Sequence, residues 1–306
     1  MNKKKLLLLF LFTSWSLAQA RDLEKKMYVD QLEREYLIHL PTHYSSGKKF
    51  PVVFAFHGGG GNYQNTVSLY NFNTVADKND CIVVYPNALN KSWSMKGIGS
   101  RVRGNRQDID DVKFISTLMD TLVHYYHADS NAFFCTGISR GGIFSLFLAD
   151  KLSNRIKAIA PVCASIPQSI AGKYSFHHPT PVLLINGRED PLIPFNGGHG
   201  SFSKKDSGEE EDFLPTYTLV KKISALNKCN GDSIVYHFPN VESIDLCKAV
   251  KTAYTCNSIR FIFIEIIKGG HTWPGGKQYL PKALIGNVCN DFKAEEEIVK
   301  FFMSVR

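Results

Sequence analysis

The sequence predicts an α/β fold with a mostly parallel central sheet and helices on both faces. Three observations carry that expectation: short apolar runs of strand length, helix-compatible stretches that alternate with them, and glycine-rich turns directly after several of the runs.

Taken in order, Phe-Pro-Val-Val-Phe-Ala-Phe at 50–56 is nearly continuous apolar, as a strand covered on both faces must be. Similar runs occupy 81–85, 132–136, 158–162, 181–185 and 260–267. Between them, residues 110–126 and 142–152 suit helices, and 293–305 suits a closing helix. Residues 34–40, ahead of the first run, read as an antiparallel edge strand. The polar stretch 196–212, ending in four acids at Glu209, Glu210, Glu211 and Asp212, reads as a solvated surface loop. With 44% hydrophobic and 21% charged residues, residues 21–306 are expected to form one catalytic domain.

The first twenty residues stand apart. Lys3, Lys4 and Lys5 make a positive n-region, residues 6–12 an apolar h-region, and Ala18-Gln19-Ala20 a small-x-small cleavage pattern. The expectation is a signal peptide over 1–20, cleaved near Ala20, and a secreted or periplasmic mature protein. An uncleaved N-terminal anchor is the other reading of this pattern. The apolar run is too short to cross a bilayer comfortably and no later stretch is longer, so stable membrane insertion is not expected. Removing the segment takes away three lysines and no acid, lowering the net charge from +8 to +5. Without a dense Lys/Arg patch interleaved with aromatics, no nucleic-acid partner is expected.

Seven cysteines in an exported chain invite disulfides. Cys81, Cys135 and Cys163 fall in or beside apolar, strand-like runs and read as buried free thiols. Cys229, Cys247, Cys256 and Cys289 lie in the more polar C-terminal third, where two bridges fit and three pairings are open. No CxxC pair supports a zinc site, and no metal is expected.

Chemistry is signalled first by Gly137-Ile138-Ser139-Arg140-Gly141, a G-x-S-x-G between a buried-looking strand and a helix-compatible stretch. That context is a nucleophile elbow, in which a strained strand-to-helix turn lifts the serine above the sheet. Side chains at 137 or 141 would collide with backbone in so tight a turn. A serine hydroxyl needs a base, and His271 in Gly269-Gly270-His271-Thr272-Trp273-Pro274-Gly275-Gly276 follows a strand end directly. His177, His178 and His199 read as loop histidines without a catalytic role. The acid that orients His271 is expected at Asp190, just beyond the run 181–185, with Glu189 its nearest competitor. The chain order Ser139, Asp190, His271 is that of the α/β-hydrolase fold, so that fold is the specific expectation. Finally, His57-Gly58-Gly59-Gly60-Gly61 follows the first strand. A backbone N–H of Gly58 or Gly59, together with that of Arg140, would form the oxyanion hole, with His57 bracing the loop. No lysine follows as in a phosphate-binding Walker loop.

These residues together resemble the secreted α/β-hydrolase esterase family of polyhydroxybutyrate depolymerases, feruloyl esterases and acetylxylan esterases. The resemblance runs from about Phe50 to the C-terminus. It rests on the His57–Gly61 loop, Tyr85-Pro86, Asp110-Asp111-Val112, residues 137–142, Gly187 and Asp190 with Pro194, and Gly270-His271-Thr272-Trp273-Pro274-Gly275. It implies Ser139, Asp190 and His271 as the catalytic triad, and Trp93 and Trp273 as walls of a substrate pocket. Asp110 and Asp111 read more simply as N-cap and first turn of the following helix. Three departures stand out: no tryptophan in 219–226, a long acidic loop at 196–212, and no Ser/Thr-rich linker or attached binding segment.

The function expected is therefore an exported serine carboxylic-ester hydrolase working through an acyl-enzyme, without a cofactor. Its substrate would be a small soluble ester, an oligoester or an acylated polysaccharide. The same triad also serves acyltransferases and peptidases, and a catalytically silent exported binding protein is the reading from a different class.

Overall fold

The computed structural model describes residues 21–95, 108–200, 212–257 and 259–306. The signal-peptide expectation and most of the acidic loop lie outside these residues. Among them, no helix is long and apolar enough to cross a membrane.

The described residues form twelve strands in chain order: β1 (Arg21–Val29), β2 (Leu32–Leu40), β3 (Phe50–Phe56), β4 (Ile82–Pro86), β5 (Ala128–Ile138), β6 (Ile156–Val162), β7 (Val182–Gly187), β8 (Gly198–His199), β9 (Asp212–Phe213), β10 (Cys229–His237), β11 (Lys248–Cys256) and β12 (Phe261–Ile267). The helices are α1 (Tyr63–Tyr70), α2 (Phe72–Asn79), α3 (Asp111–Tyr125), α4 (Arg140–Lys151), α5 (Gln168–Ala171), α6 (Thr216–Leu226), α7 (Lys282–Ile285) and α8 (Ala294–Ser304). Ten strands form one sheet in the order β1-β2-β4-β3-β5-β6-β7-β12-β11-β10, while β8 and β9 pair separately. The stretch from β4 to β12 is parallel throughout, and an antiparallel hairpin extends the sheet at either edge. This is the α/β-hydrolase fold.

The apolar runs are continuous because both sheet faces are covered. Along β3, Val52, Phe54 and Phe56 belong to one core, which also holds Phe114, Leu118 and Met119 of α3, Phe144 of α4 and Leu219 and Ile223 of α6. Val53 and Ala55 point into the other, with Phe72 and Val75 of α2 and Ile298, Val299 and Phe302 of α8. Alternation between two apolar cores leaves no polar position in the strand. The edge hairpins face solvent more, and their sequences show it: β10 is exposed along most of its length.

Asp110 caps α3 by accepting the Lys113 N–H at 2.9 Å, as its sequence context indicates. Asp111 does more than occupy the first turn. It is fully buried, pairs with the buried Arg34 of β2, and accepts the Ser94 N–H at 2.6 Å. The Arg34 guanidinium also lies 3.9 Å from the Phe114 ring centroid. One buried pair thus ties the antiparallel edge to α3.

Of the four C-terminal cysteines, Cys229 and Cys256 form a disulfide across facing positions of β10 and β11. Cys81, Cys135 and Cys163 are buried free thiols, as expected. Cys247 and Cys289 are buried thiols as well.

Removing one member of the Arg34–Asp111 pair strands the other charge in the core. Arg34→Met should therefore cost about 3–5 kcal/mol in urea unfolding, and adding Asp111→Leu should recover most of the loss. A single variant as stable as the parent would show that the pair contributes no more than its desolvation removes.

Candidate active site

Strand β5 carries the chain into the elbow. Ser139 sits at φ 57°, ψ −124°, a backbone conformation that costs a non-glycine residue on the order of 1–3 kcal/mol. It is held there from both sides. Its N–H donates to the Val162 carbonyl at 2.9 Å, and its own carbonyl accepts the Ile143 N–H at 2.9 Å, the first bond of α4. The flanking glycines make the turn possible: a Cβ on Gly137 would lie 2.5 Å from the Phe56 carbonyl oxygen, and one on Gly141 only 2.4 Å from the same atom.

Because β3 and β5 are parallel neighbours, with Phe56 opposite Gly137, the glycine loop and the elbow leave the sheet side by side. A Cβ on Gly58 would stand 3.7 Å from Ser139 Cβ, and one on Gly59 would stand 3.8 Å from Arg140 Cβ. His57 fixes the root of this loop. The Ala88 N–H donates to its Nε2 at 3.0 Å, so the ring proton belongs on Nδ1, which donates to the Gly58 carbonyl at 2.7 Å. Burial pushes the imidazole down to about 4, keeping it neutral. The Arg140 side chain is also committed, its Nε and Nη2 donating to the Trp93 carbonyl at 3.0 and 2.8 Å. Tyr70 links the two loops directly. Its buried hydroxyl donates to the Phe56 carbonyl and accepts the Ile138 N–H, each at 3.0 Å.

Strands β7 and β12 supply the other two residues. Asp190 and His271 are both buried, and His271 Nδ1 lies 2.7 Å from Asp190 Oδ2. The second carboxylate oxygen accepts the N–H groups of Leu192 and Ile193 at 2.8 and 2.9 Å, which fixes its orientation. A side chain on Gly187 would meet the Gly269 carbonyl oxygen at 2.4 Å, so glycine lets the two loops touch. The His271 backbone is pinned through its N–H to the Ile285 carbonyl, at 2.6 Å, and through its carbonyl to the Tyr279 hydroxyl, at 2.9 Å.

Cys163 joins the elbow to this pair. It follows Val162, the acceptor of the Ser139 N–H, and its Sγ lies 3.3 Å from the Thr272 carbonyl oxygen and 3.7 Å from that of Gly270. Burial pushes the thiol well up, so it stays protonated and serves as a donor. Cys163 Sγ, an Asp190 oxygen and a His271 ring nitrogen lie within 4.8 Å of one another, near enough to share a metal ion. Their existing hydrogen bonds instead fit a self-satisfied polar cluster.

Ser139, Arg140, Gly58, Gly59, Asp190 and His271 thus stand at the C-terminal ends of four parallel strands. Glu189 is exposed, as are His177 and His178, while His199 pairs with Asp212 at 2.9 Å. Trp93 and Trp273, expected as pocket walls, are instead both fully buried. Trp93 stacks on Phe144 at 4.7 Å between centroids and donates to the His57 carbonyl at 2.9 Å. Trp273 stacks on Tyr70 at 3.9 Å and donates to Glu295 Oε2 at 3.1 Å. Both belong to the scaffold behind the site, because their apolar area and their single N–H donor are already used there. Sequence reasoning missed the roles of Tyr70, Cys163 and Tyr279. No local motif marks them, since each acts across a distance in sequence that only the fold closes.

A sequence profile of the Esterase family, described as "Putative esterase", matches residues 31–183, half of the chain. The chain belongs to this esterase family. The match includes the glycine loop and the elbow and ends before Asp190 and His271. "Putative esterase NocK" of Nocardia uniformis subsp. tsuyamanensis is 24% identical over 291 residues, covering 94% of this chain and 84% of that one. Feruloyl esterase C of Emericella nidulans is 29% identical over 171 residues, 54% of this chain, and the matched part spans 58% of that relative's length. Among solved structures, an acetyl xylan esterase from Aspergillus awamori superposes with a TM-score of 0.56 at 14% identity, covering 80% of this chain and 92% of that one. That similarity shows a shared fold.

Two measurements probe the scaffold of this esterase's site. Between the ordinary histidine value of 6.5 and about 4, unfolded chains protonate His57 while folded ones do not. Stability should therefore fall as pH drops through that window, by on the order of 3 kcal/mol in all. Thermal melts at pH 7 and 4.5 should show a smaller drop for His57→Gln, which does not titrate; parallel drops would assign the effect elsewhere. Tyr70→Phe leaves the Ile138 N–H and the Phe56 carbonyl without their shared partner. It should cost about 1–3 kcal/mol in urea unfolding, and an unchanged midpoint would remove Tyr70 as a coupling element.

Proposed function

We propose that this protein is a serine carboxylic-ester hydrolase that works through an acyl-enzyme, with Ser139 as nucleophile, His271 as base and Asp190 as the orienting acid. The observation that carries this reading is the buried His271–Asp190 contact at 2.7 Å on the loops beside the elbow serine. With Nδ1 committed to the carboxylate, the opposite ring nitrogen, Nε2, is the one that serves the serine hydroxyl.

Ser139 Oγ attacks the ester carbonyl while His271 Nε2 takes its proton. Negative charge gathers on the former carbonyl oxygen, which the N–H groups of Arg140 and of Gly58 or Gly59 receive, each donor being worth about a hundred- to thousandfold in rate. The helix N-terminus behind Ser139 adds to this field. His271 then returns the proton to the departing alcohol, and water, deprotonated by the same nitrogen, releases the acid. Asp190 holds the imidazole in the tautomer this cycle requires.

Membership of the esterase family and the feruloyl esterase relative support carboxylic esters, feruloyl esters among them, as the substrate class. A secreted or periplasmic location accords with the N-terminal pattern of residues 1–20 and with the disulfide.

Hydrolysis of p-nitrophenyl acyl esters, a feruloyl ester and hydroxybutyrate oligomers, run beside Ser139→Ala, tests the reading. The variant should lose at least about 10⁴-fold in kcat on every member turned over, and Asp190→Asn should lose about as much. Equal rates for parent and Ser139→Ala across the panel would sink the serine mechanism. The preferred acyl group would separate feruloyl, acetyl and hydroxybutyryl specificity.

A further inference from the structure

The second cysteine pair of the C-terminal third has a geometry the first pair does not share. Cys247 and Cys289 are both fully buried, 42 positions apart in sequence. Their Sγ atoms, together with an Asp245 oxygen, all lie within 4.8 Å of one another.

What brings them together is an exchange of aspartates between two chain segments. Asp245, buried, accepts the N–H of Cys247 at 2.7 Å on one oxygen and the N–H of Asn290, next to Cys289, at 2.9 Å on the other. Asp291, on the opposite segment, accepts the N–H groups of Val241 and Ala249 at 3.2 and 2.9 Å. Each segment thus grips the other's backbone on either side of the sulfurs. Such a clamp fixes the approach of two chains with an accuracy that packing of two small thiols does not require.

We propose that Cys247 and Cys289 form a second disulfide, one that straps the return leg of the His271 loop to the start of β11. The sulfur separation lies within reach of a side-chain rotation, since the bond itself is about 2.0 Å long. A chain that already closes Cys229–Cys256 matures where disulfides persist. The reaction balances as a thiol–disulfide exchange: both thiols give up their protons, two electrons pass to a glutathione-type disulfide, and two small thiols leave. Because both sulfurs are buried in the finished fold, and the neighbouring Cys247 thiol together with burial raises the Cys289 thiol, the bridge closes while the chain is folding and the thiolate is accessible.

The strap matters for the loop above it. The Cys289 carbonyl accepts the Gly275 N–H at 2.8 Å, the Asn287 carbonyl accepts the Gly270 N–H at 2.9 Å, and Cys247 Sγ lies 3.5 Å from the Lys268 carbonyl oxygen. Both ends of the turn holding His271 therefore rest on these two cysteines and their neighbours.

The test is to refold the full chain in a glutathione redox buffer, alkylate it in denaturant, and map the cysteines by mass. Of the seven, three should be alkylated, Cys81, Cys135 and Cys163, and one proteolytic peptide pair should be joined through Cys247 and Cys289. Alkylation of five, Cys247 and Cys289 among them, would overturn the proposal. So would one equivalent of zinc bound to the protein, with both thiols recovered reduced after chelation, because the cluster would then be a metal site. Thermal melts of Cys247→Ser, Cys289→Ser and the double variant give an independent reading. A bridge makes all three, refolded oxidatively, lose the same amount, more than about 5 °C, and makes parent and variants melt together when all are refolded in reductant, where Cys229–Cys256 is open in each. Additive losses from the two single variants would mean two separately packed thiols and no bond.

Discussion

Parallel strands deliver their C-terminal ends to one edge of a sheet, and nearly everything about this molecule depends on that. The chain must leave the sheet at that edge after β3, β5, β7 and β12, which are separated only by β6 in the strand order. Whatever residues stand at those four exits become neighbours, however far apart they are in sequence. The arrangement holds only if both faces of the sheet are dry, which is why the buried stretches of the parallel strands are mostly apolar and why helices cover both sides. A crevice at the carboxyl ends of such strands is where open α/β sheets bind ligands.

Given that edge, the site is assembled less by its named residues than by the hydrogen bonds behind them. The loop of His57 is held by the neutral ring bridging Ala88 and Gly58, Asp190 is aimed by two backbone N–H groups, and Tyr70 joins β3 to β5 just below the reacting edge. These contacts are buried, so each is strong when made and costly when broken. In the proposed mechanism they immobilise the donors and the imidazole before a substrate arrives, the condition under which electrostatic stabilisation of an oxyanion is most effective.

Legibility in the sequence followed the range of the cause. The core strands from β3 to β12, and helices α3, α4 and α8, could be read because their apolar periodicity is local. The elbow could be read because Gly137 and Gly141 answer a steric demand within five residues. Asp190 and His271 were legible from their position after strands and from chain order. The β10–β11 hairpin was not, since its exposed β10 residues, including Ile234, Val235 and Tyr236, give no buried run to recognise. Trp93 and Trp273 misled for a different reason. A large aromatic beside a site suits a pocket wall and a core brace equally well, and only the partners of the indole N–H separate the two. Asp111 likewise looked like a helix-start acid until Arg34, distant in sequence, was seen to be its partner.

The backbone of Ser139 carries one more implication. At φ 57° the residue occupies a region in which glycine is comfortable and a side chain is not. Selection for folding alone would place glycine there, so the serine is kept against the preference of its own backbone. On the proposed mechanism the position is one where stability and activity pull in opposite directions. A chain drifting without selection for catalysis would gain stability by giving the hydroxyl up, and its persistence is a running cost that the rest of the core must cover.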